Sequence, residues 1–338
     1  MSGQIRVLVV EDSVSARELL VGMLNAVPGL SVIGTATSGE EAIEKAARLR
    51  PDIITMDIHL PGMNGLDATR SIMESNPIPI VIVSSTPDRN EVMSTFRAIE
   101  AGALAFVEKP RGIEDAETLV QTVRAMSEVK VVRRWPRNRE RLARTIPRRA
   151  VGVVAIGAST GGPPVLNVIL SALPLDFRPP VLIVQHMAAG FLQGFSEWLN
   201  ESCALPVRLA SHGEPVVPSR VYVAPDGFQM KVSGRGLISL SKEASEEGQM
   251  PSVSCLFSSV REVYGATSVA GLLSGMGKDG AIELRRLKDC GAWTFVQDRE
   301  SAVVYGMPGE AVRLEGVSVV LSPEKIAPWL VSMANGRG

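Results

Sequence analysis

Short apolar runs alternate with helical patterns along the first 129 residues. The predicted strands are IRVLVV (5–10), LSVIGTA (30–36), DIITM (52–56), IPIVIVSS (78–85) and ALAFVE (103–108). Ser38 and Glu41 form a capping-box pair that predicts a helix ending at Arg50, and the amphipathic segment at about 114–128 predicts another. Strands joined by helices in this way predict an α/β fold with a doubly wound, five-stranded parallel sheet.

The alternation returns after residue 150. Apolar runs at 151–156, 180–185 and 268–277 each lead into polar residues. Pro163 follows the first of these runs and fits the first position of a helix, where proline is well tolerated. We therefore expect a second α/β domain with a mainly parallel sheet.

The composition agrees with two globular domains in one chain. Of 338 residues, 45% are hydrophobic and 21% are charged. No apolar run reaches the roughly 18 residues of a membrane-spanning helix, so direct membrane insertion is not expected. The cysteines Cys203, Cys255 and Cys290 are widely spaced without a C-x-x-C pair, which favours a reducing cytoplasm over a disulfide framework.

A basic segment separates the two patterns. Residues 130–149 carry nine basic side chains and one acidic one, Glu140, and Pro136 and Pro147 interrupt the segment. We interpret it as an exposed linker, either a solvated tether or a docking site for an acidic partner. The predicted organisation is a first domain, a linker and a second domain, at 1–125, 126–150 and 151–338.

Polar side chains lie at the carboxyl ends of the predicted strands in the first domain, at Glu11, Asp12, Asp57, Ser84 and Lys109. Ligands of doubly wound sheets bind at this edge. Three carboxylates repel one another unless a cation neutralises them, and their hard oxygen atoms suit Mg²⁺. One carboxylate can accept a phosphoryl group while Mg²⁺ and Lys109 stabilise its oxygens. Single acids after strands are common surface residues, but this combination predicts a phosphoryl-transfer site.

In the second domain, the stretch GASTGGPPV at 157–165 follows an apolar run and places Ser159 between glycines. Ser159 could be a nucleophile on a tight strand-to-helix turn, part of a phosphate-binding loop, or an ordinary loop residue. The stretch matches the short G-x-S-x-G nucleophile pattern and matches neither common nucleotide-binding pattern. This favours the nucleophile, which requires a base at neutral pH.

Three histidines are available as that base. His59 belongs to the first domain, His212 lies in a polar turn, and His186 follows a full apolar strand. His186 is therefore expected at the same sheet edge as Ser159. Asp279 follows the next candidate strand and could orient His186 or simply cap the helix after it. The order Ser, His, Asp differs from that of α/β-hydrolases.

The first half resembles the receiver domain of bacterial two-component response regulators over residues 4–125, through VLVVEDS, ITMDIHLPGMNGLD, IVIVSS and AFVEKP. The resemblance implies phosphorylation at Asp57. The implied Mg²⁺ ligands are Glu11, Asp12, Asp57 and the backbone carbonyl of His59. The implied switch pair is Ser84 and Phe106, and Lys109 is the implied phosphate-contacting lysine. The resemblance also implies a cis Lys109–Pro110 bond.

The second half resembles the catalytic domain of the CheB family of chemotaxis receptor methylesterases, through AIGASTGGP, IVQHM, VYVAPDG, SGMGKDGA and VVYGMP. The resemblance implies Ser159 as nucleophile, His186 as base and Asp279 as its orienting partner. Thr160 and the backbone amide of Met276 lie where relatives shape the oxyanion site. Three positions depart from the usual family pattern: Met250, Ser254 and Ala302.

The resemblance implies phosphorylation-regulated hydrolysis of glutamate γ-methyl esters on a methyl-accepting receptor, with glutamine deamidation as a second activity. A CheA-type histidine kinase would be the phosphodonor, and ester hydrolysis itself is expected to need no cofactor. Two other outputs remain open on the sequence alone. One is a DNA-binding output, which the basic segment favours, although the second half is not basic and no nucleic-acid partner is expected. The other is a non-catalytic signalling module.

Overall fold

The computed structural model describes residues 4–84, 89–112, 115–129, 150–245 and 248–336, with only the backbone described at 89–93. The chain divides into two compact units, Met1–Asn138 and Arg139–Gly338. The basic segment at 130–149 lies outside the described residues, so the linker and the domain bounds around it stay predictions. None of the described helices is long and apolar enough to cross a membrane.

The first unit is a parallel five-stranded sheet with helices between its strands. The strands are β1 (Ile5–Val10), β2 (Leu30–Ala36), β3 (Ile53–Met56), β4 (Ile80–Ser84) and β5 (Ala105–Glu108). The helices are α1 (Val14–Asn25), α2 (Gly39–Leu49), α3 (Gly65–Ser75), α4 (Arg89–Glu100) and α5 (Ala116–Ser127). The order β2-β1-β3-β4-β5 confirms the predicted doubly wound fold. Because the order reverses between β1 and β3, their carboxyl ends border the crevice where such sheets bind ligands.

The predicted capping pair is present at the start of α2. The Ser38 hydroxyl accepts from the Glu41 N–H at 3.3 Å. The Glu41 carboxylate accepts from the N–H of Thr37 at 2.7 Å, one residue before the cap. The helix ends at Leu49, and Arg50 closes it in the left-handed conformation, with φ of 48°.

The second unit contains a seven-stranded sheet and a two-stranded antiparallel hairpin. The sheet strands are β6 (Val153–Ala158), β7 (Val181–Gln185), β8 (Val207–Leu209), β9 (Val221–Val223), β12 (Ser268–Leu272), β13 (Trp293–Gln297) and β14 (Val319–Leu321). The hairpin consists of β10 (Gln229–Val232) and β11 (Ile238–Ser241). The helices are α6 (Gly162–Ser171), α7 (Phe191–Ser202), α8 (Val253–Val263), α9 (Ala281–Asp289), α10 (Gly306–Arg313) and α11 (Pro323–Ala334). A short 3-10 helix covers Gly265–Thr267.

The topology of the second sheet places three chain segments around the end of β6. The order is β14-β13-β12-β6-β7-β9-β8, and all of its pairings are parallel. In chain order, β7, β8 and β9 lie on one side of β6, and β12, β13 and β14 lie on the other side. The carboxyl end of β6 is therefore a topological switch point, flanked by the ends of β7 and β12.

Close packing behind this edge fixes the strand ends. A Cβ on Gly157 would lie 2.4 Å from a methyl carbon of Val253, and one on Gly271 would lie 2.2 Å from the Phe295 ring. Val253 and its buried neighbours on α8 join the core beneath the sheet. The start of α8 is thus held against the last residues of β6 and β12.

Candidate active site

The predicted carboxylates of the first unit meet at the switch point of its sheet. Ligand oxygens of Glu11, Asp12 and Asp57 all lie within 4.8 Å of one another. Glu11 and Asp57 are buried, whereas Asp12 is exposed. The Lys109 ammonium lies between the two buried acids, 2.7 Å from Asp57 Oδ2 and 2.8 Å from Glu11 Oε2. Three hard oxygen ligands at this spacing fit a divalent cation such as Mg²⁺.

The three carboxylates of this cluster carry more negative charge than the single ammonium of Lys109 can neutralise. Burial raises the pKa of Glu11, the charge of Asp57 raises it further, and Lys109 opposes both. Burial alone would lower the pKa of Lys109, but hydrogen bonds to Asp57 and Glu11 raise it instead. One lysine therefore balances two buried carboxylates, and a bound cation would relieve the remaining repulsion.

The predicted switch residues lie on the neighbouring strands β4 and β5. Ser84 is buried, and its hydroxyl has no hydrogen-bond partner among the described residues. Phe106 packs edge-on against Phe96, with the ring centroids 6.0 Å apart. The cis Lys109–Pro110 bond implied by the resemblance is not found: among the described residues the cis peptide is Met250–Pro251.

Ser159 lies on a tight turn between β6 and α6. Its N–H donates to the Ser274 carbonyl at 3.0 Å, and its carbonyl accepts from the Gly162 N–H at 2.8 Å. Gly161 takes a φ of 79°, which favours glycine, and a Cβ there would lie 2.5 Å from Cβ of Val303. The helix begins at Gly162, so Pro163 occupies the second helical position, one later than predicted.

His186 lies beside Ser159 because β6 and β7 are paired neighbours. Ala158 pairs with Gln185, and the His186 N–H donates to the Ala158 carbonyl at 2.9 Å. The buried Gln185 amide holds both backbones, since its Nε2 donates to the Ser159 carbonyl at 2.9 Å and to the His186 carbonyl at 2.8 Å. The Ser159 hydroxyl itself has no hydrogen-bond partner in the described part of the chain.

Asp279 accepts from the His186 ring. Nε2 of His186 lies 3.0 Å from Asp279 Oδ2. Asp279 does not cap the helix after it, because the cap of α9 is Gly280 and no side chain bonds there. Its carboxylate instead lies at the first turn of α8 and accepts from the backbone N–H groups of Val253 and Ser254.

The carboxylate of Asp279 is ionised at neutral pH. Burial by itself raises the pKa of Asp279, but hydrogen bonds from His186 and Ser254 outweigh that effect and lower it to about 2. An ionised carboxylate only accepts hydrogen bonds, so Nε2 of His186 carries the proton of this contact. In the neutral imidazole Nδ1 is then the unprotonated atom that can accept a proton.

Known proteins share both halves of this arrangement. A sequence model of the CheB methylesterase family matches residues 154–330, and one of the response regulator receiver domain matches residues 7–124. A protein of Nitrosospira multiformis named protein-glutamate methylesterase/protein-glutamine glutaminase is 52% identical, over 99% of this chain and 98% of its own length. A protein of Geobacter metallireducens with the same name and the number 4 is also 52% identical, over 98% of this chain and 99% of its own.

The chain belongs to the CheB methylesterase family. Among solved structures, the CheB methylesterase catalytic domain of Thermotoga maritima is 33% identical, with a TM-score of 0.53. That domain aligns over its full length and over 55% of this chain. The match of the second half to this family supports the methylesterase output over the DNA-binding one.

The two residues predicted for the oxyanion site, Thr160 and Met276, lie on turns around Ser159. The backbone N–H groups of Thr160 and Met276 have no hydrogen-bond partner in the described residues. The Thr160 carbonyl accepts from the Ser274 hydroxyl at 2.7 Å. A Cβ on Gly275, next to Met276, would lie 2.8 Å from Ser159 Cβ, so the Met276 turn lies against the Ser159 turn.

The positions that depart from the family pattern differ in their closeness to this site. Ser254 contacts Asp279 through its N–H, and its hydroxyl accepts from the Gly280 N–H at 2.9 Å. Met250 is 36% exposed and precedes the start of α8. The Ala302 N–H donates to the Asp298 carbonyl at 3.2 Å. Ser254 is thus the departure that contacts the His186–Asp279 pair.

Sequence reasoning missed the residues that support the site from behind. Gln185, Ser252 and Ser274 are each 1% exposed or less, and all three bond to the turns that carry the site. A glutamine in the last position of a fully buried strand was the available signal for Gln185. Ser252 caps α8, and nothing in the sequence connects it with Asp279.

Proposed function

We propose that Ser159, His186 and Asp279 hydrolyse γ-methyl esters of glutamate on the cytoplasmic segment of a receptor. The observation that carries this proposal is the contact of His186 Nε2 with Asp279 Oδ2 at 3.0 Å, directly beside the Ser159 turn. It gives a serine a neighbouring imidazole whose proton-accepting nitrogen is oriented by a buried carboxylate. The names of the relatives support the same ester as substrate.

The reaction follows from the roles of these three side chains. Ser159 Oγ attacks the ester carbonyl while Nδ1 of His186 takes its proton, through a hydrogen bond that forms when substrate binds. The Met276 and Thr160 N–H groups stabilise the oxyanion, each contributing about 2.7–4 kcal/mol by analogy with known oxyanion holes. His186 returns the proton to the departing methoxide, and methanol leaves. Water then hydrolyses the acyl-serine and releases glutamate.

Deamidation of receptor glutamine uses the same steps. The leaving group is then ammonia, and the acyl-serine intermediate and its hydrolysis to glutamate are unchanged. The relatives' names include a protein-glutamine glutaminase activity, which supports this second reaction.

The receiver half supplies the regulation. We assign phosphorylation to Asp57, with Mg²⁺ held by Glu11, Asp12, Asp57 and the His59 carbonyl. The cation supplies charge neutralisation at the transferring phosphoryl group. Lys109, already 2.7 Å from Asp57, would contact the phosphoryl oxygens, and Ser84 and Phe106 would respond to them. A CheA-type histidine kinase in the cytoplasm is the phosphodonor in this scheme, and the esterase acts in adaptation of the chemosensory receptor.

The experiment uses the full chain and methyl-labelled receptor from the same cell. Wild type is expected to release labelled methanol, and Ser159→Ala is not. A small acyl phosphate with Mg²⁺ should raise the wild-type rate and leave the rate of Asp57→Asn unchanged. Methanol release by Ser159→Ala would contradict the catalytic assignment, and equal stimulation of Asp57→Asn would contradict the regulatory one.

A further inference from the structure

Asp279 is held by a helix that is distant from it in sequence. Its two oxygens accept three hydrogen bonds from the start of α8: from Ser252 Oγ to Oδ1 at 3.0 Å, from Val253 N to Oδ2 at 2.7 Å, and from Ser254 N to Oδ1 at 2.9 Å. Oδ2 also accepts from His186. With both oxygens bonded, the plane of the carboxylate is fixed and Oδ2 faces the imidazole.

Ser252 is the one side chain among these three donors from α8. Its single proton goes to Asp279, because an ionised carboxylate only accepts. Its lone pair accepts from the Cys255 N–H at 3.4 Å, the usual capping bond of α8. One hydroxyl therefore caps the helix and binds the carboxylate.

Ser252 is itself anchored by a buried amide. Its N–H donates to Gln229 Oε1 at 2.8 Å, and Gln229 Nε2 donates to the Gln249 carbonyl at 2.7 Å. Ser252 is 1% exposed and Gln229 is 0% exposed. A continuous set of hydrogen bonds thus runs from β10 through Ser252 and Asp279 to His186.

We propose that Ser252 is a positioning residue of the esterase, whose hydroxyl sets the orientation of Asp279 and through it the proton-accepting face of His186. The proposal rests on the triad assigned under the proposed function. Ser252 contacts neither substrate nor the reacting atoms. Of the described titratable groups, His186 and the Cys255 thiol interact with Asp279.

Loss of the hydroxyl has two expected effects. The carboxylate keeps one backbone donor on each oxygen but loses the second hydrogen bond to Oδ1, so the orientation of Asp279 and of His186 is less tightly fixed. A hydrogen bond to a charged group implies a loss of about 10-fold to 100-fold in the rate of Ser159 activation. The remaining negative charge is also less dispersed, so Asp279 holds a protonated imidazole more tightly, and the acid limb of the pH profile moves to higher pH.

The test measures the rate at which a fluorophosphonate labels Ser159 in the full chain, as a function of pH. This readout reports activation of the serine and does not depend on the receptor ester, so it separates the present proposal from the proposed substrate. Ser252→Ala should label about 10-fold to 100-fold more slowly, with its acid limb at higher pH. Ser252→Thr, which keeps the hydroxyl, should restore both the rate and the pH profile.

Two further variants make the outcome decisive. Ser38→Ala removes an equivalent capping bond from α2, in the other unit, and should label like wild type. Ser252→Gly, which costs little as a helix cap, replaces Ser252→Ala if the alanine variant does not fold. Wild-type rate and pH profile in a folded Ser252→Ala or Ser252→Gly would overturn the positioning role. Absence of labelling in wild type itself would instead overturn the nucleophile assignment.

Discussion

His186 contacts Asp279 through Nε2 of its ring, with Nε2 and Oδ2 3.0 Å apart. In the well-known serine protease arrangement the carboxylate binds Nδ1 and the serine faces Nε2. In the proposed reaction the two ring nitrogens exchange these roles, so Nδ1 would take the proton of Ser159. His186 follows β7, which lies on one side of β6 in the sheet, and Asp279 follows β12, which lies on the other side.

Asp279→Asn tests this assignment of the ring nitrogens. We expect the amide oxygen to take the Oδ1 position, where it keeps the bonds from Ser252 Oγ and the Ser254 N–H. The NH₂ then takes the Oδ2 position and faces His186. Nε2 must then accept, and the proton moves to Nδ1, the atom needed as base. We expect kcat to fall by about 10⁴-fold, as for the same change in a known triad.

Nitrogen NMR of labelled histidine measures the tautomer directly. Wild type should carry its proton on Nε2 and the variant on Nδ1. A proton on Nδ1 in wild type would contradict the exchanged roles of the nitrogens, whatever the kinetics of the variant.

Asp279 also makes the free energy of unfolding of the second unit depend on pH in the acid range. Because its pKa is lowered from 3.8 to about 2, its ionised form stabilises the folded state above pH 4, and this contribution is lost as the pH falls toward 2. The shift corresponds to about 2 kcal/mol. Between pH 4 and pH 2, wild type should therefore lose about 2 kcal/mol more stability than Asp279→Asn.

Tryptophan fluorescence in urea measures this difference, because Trp198, Trp293 and Trp329 lie in the second unit and the sequence from 1 to 129 has no tryptophan. Parallel acid dependence in the two proteins would show that Asp279 is not selectively stabilised in its ionised form.

Gly162 keeps space for the Gln185 amide at the start of α6. A Cβ at this position would lie 2.4 Å from Gln185 Oε1 and 2.8 Å from Ala158 Cβ. Gly162→Ala should therefore displace the amide that holds the Ser159 and His186 backbones, with a cost of about 1–3 kcal/mol. The rate of methanol release should fall by at least about tenfold, because small displacements of reacting groups are costly.

Gly234→Ala is the matched control, since a Cβ there meets no atom within 4 Å and its φ is not positive. It should leave rate and stability at wild-type values. If Gly162→Ala matched this control in both measurements, the Gln185 amide would have no part in holding the site.

Lys109 balances the buried acids of the receiver. Lys109→Met leaves Glu11 and Asp57 facing each other without a cation, at an expected cost of about 3–5 kcal/mol. Mg²⁺ should restore much of this stability, because it neutralises the same carboxylates. Hydrogen exchange of the β1 and β3 amides, measured with and without Mg²⁺, follows the change within this unit.

The control for this variant is Arg70→Met, which breaks an exposed pair with Asp67. It should cost no more than about 1 kcal/mol and show no added response to Mg²⁺. An equal response to Mg²⁺ in both variants would show that the cation does not compensate for the lost ammonium at the Glu11–Asp57 edge.

The sequence predicted the sheet edges well because apolar periodicity and polar strand ends are local signals. β1 and β2 have the predicted bounds. The polar residues that follow β1, β3 and β7 lie at the carboxyl edges of the two sheets, next to the switch points. The remaining predicted strands of the receiver are shorter than their apolar runs, since the first residues of those runs lie in the loops that enter the sheet.

The support of Asp279 could not be predicted, because it depends on an approach in space between residues far apart in sequence. Ser252 and Asp279 are joined across 27 positions by the packing of α8 beneath β6 and β12. The sequence pattern of Asp279 equally favours a helix cap, and the positions of the α8 amides decide against that role. Gln185 is similar, since a buried strand end gives no sign of which carbonyls its amide will reach.

The central claim is that Ser159 is a nucleophile activated by His186, and chemical trapping tests it most directly. Wild type, Ser159→Ala and His186→Ala are treated with a fluorophosphonate, digested, and analysed by mass spectrometry for the modified residue. The account predicts a single adduct on the peptide that contains Ser159 in wild type, none in Ser159→Ala, and strongly slowed labelling in His186→Ala. An adduct on another residue, or equally fast labelling without the imidazole, would contradict it.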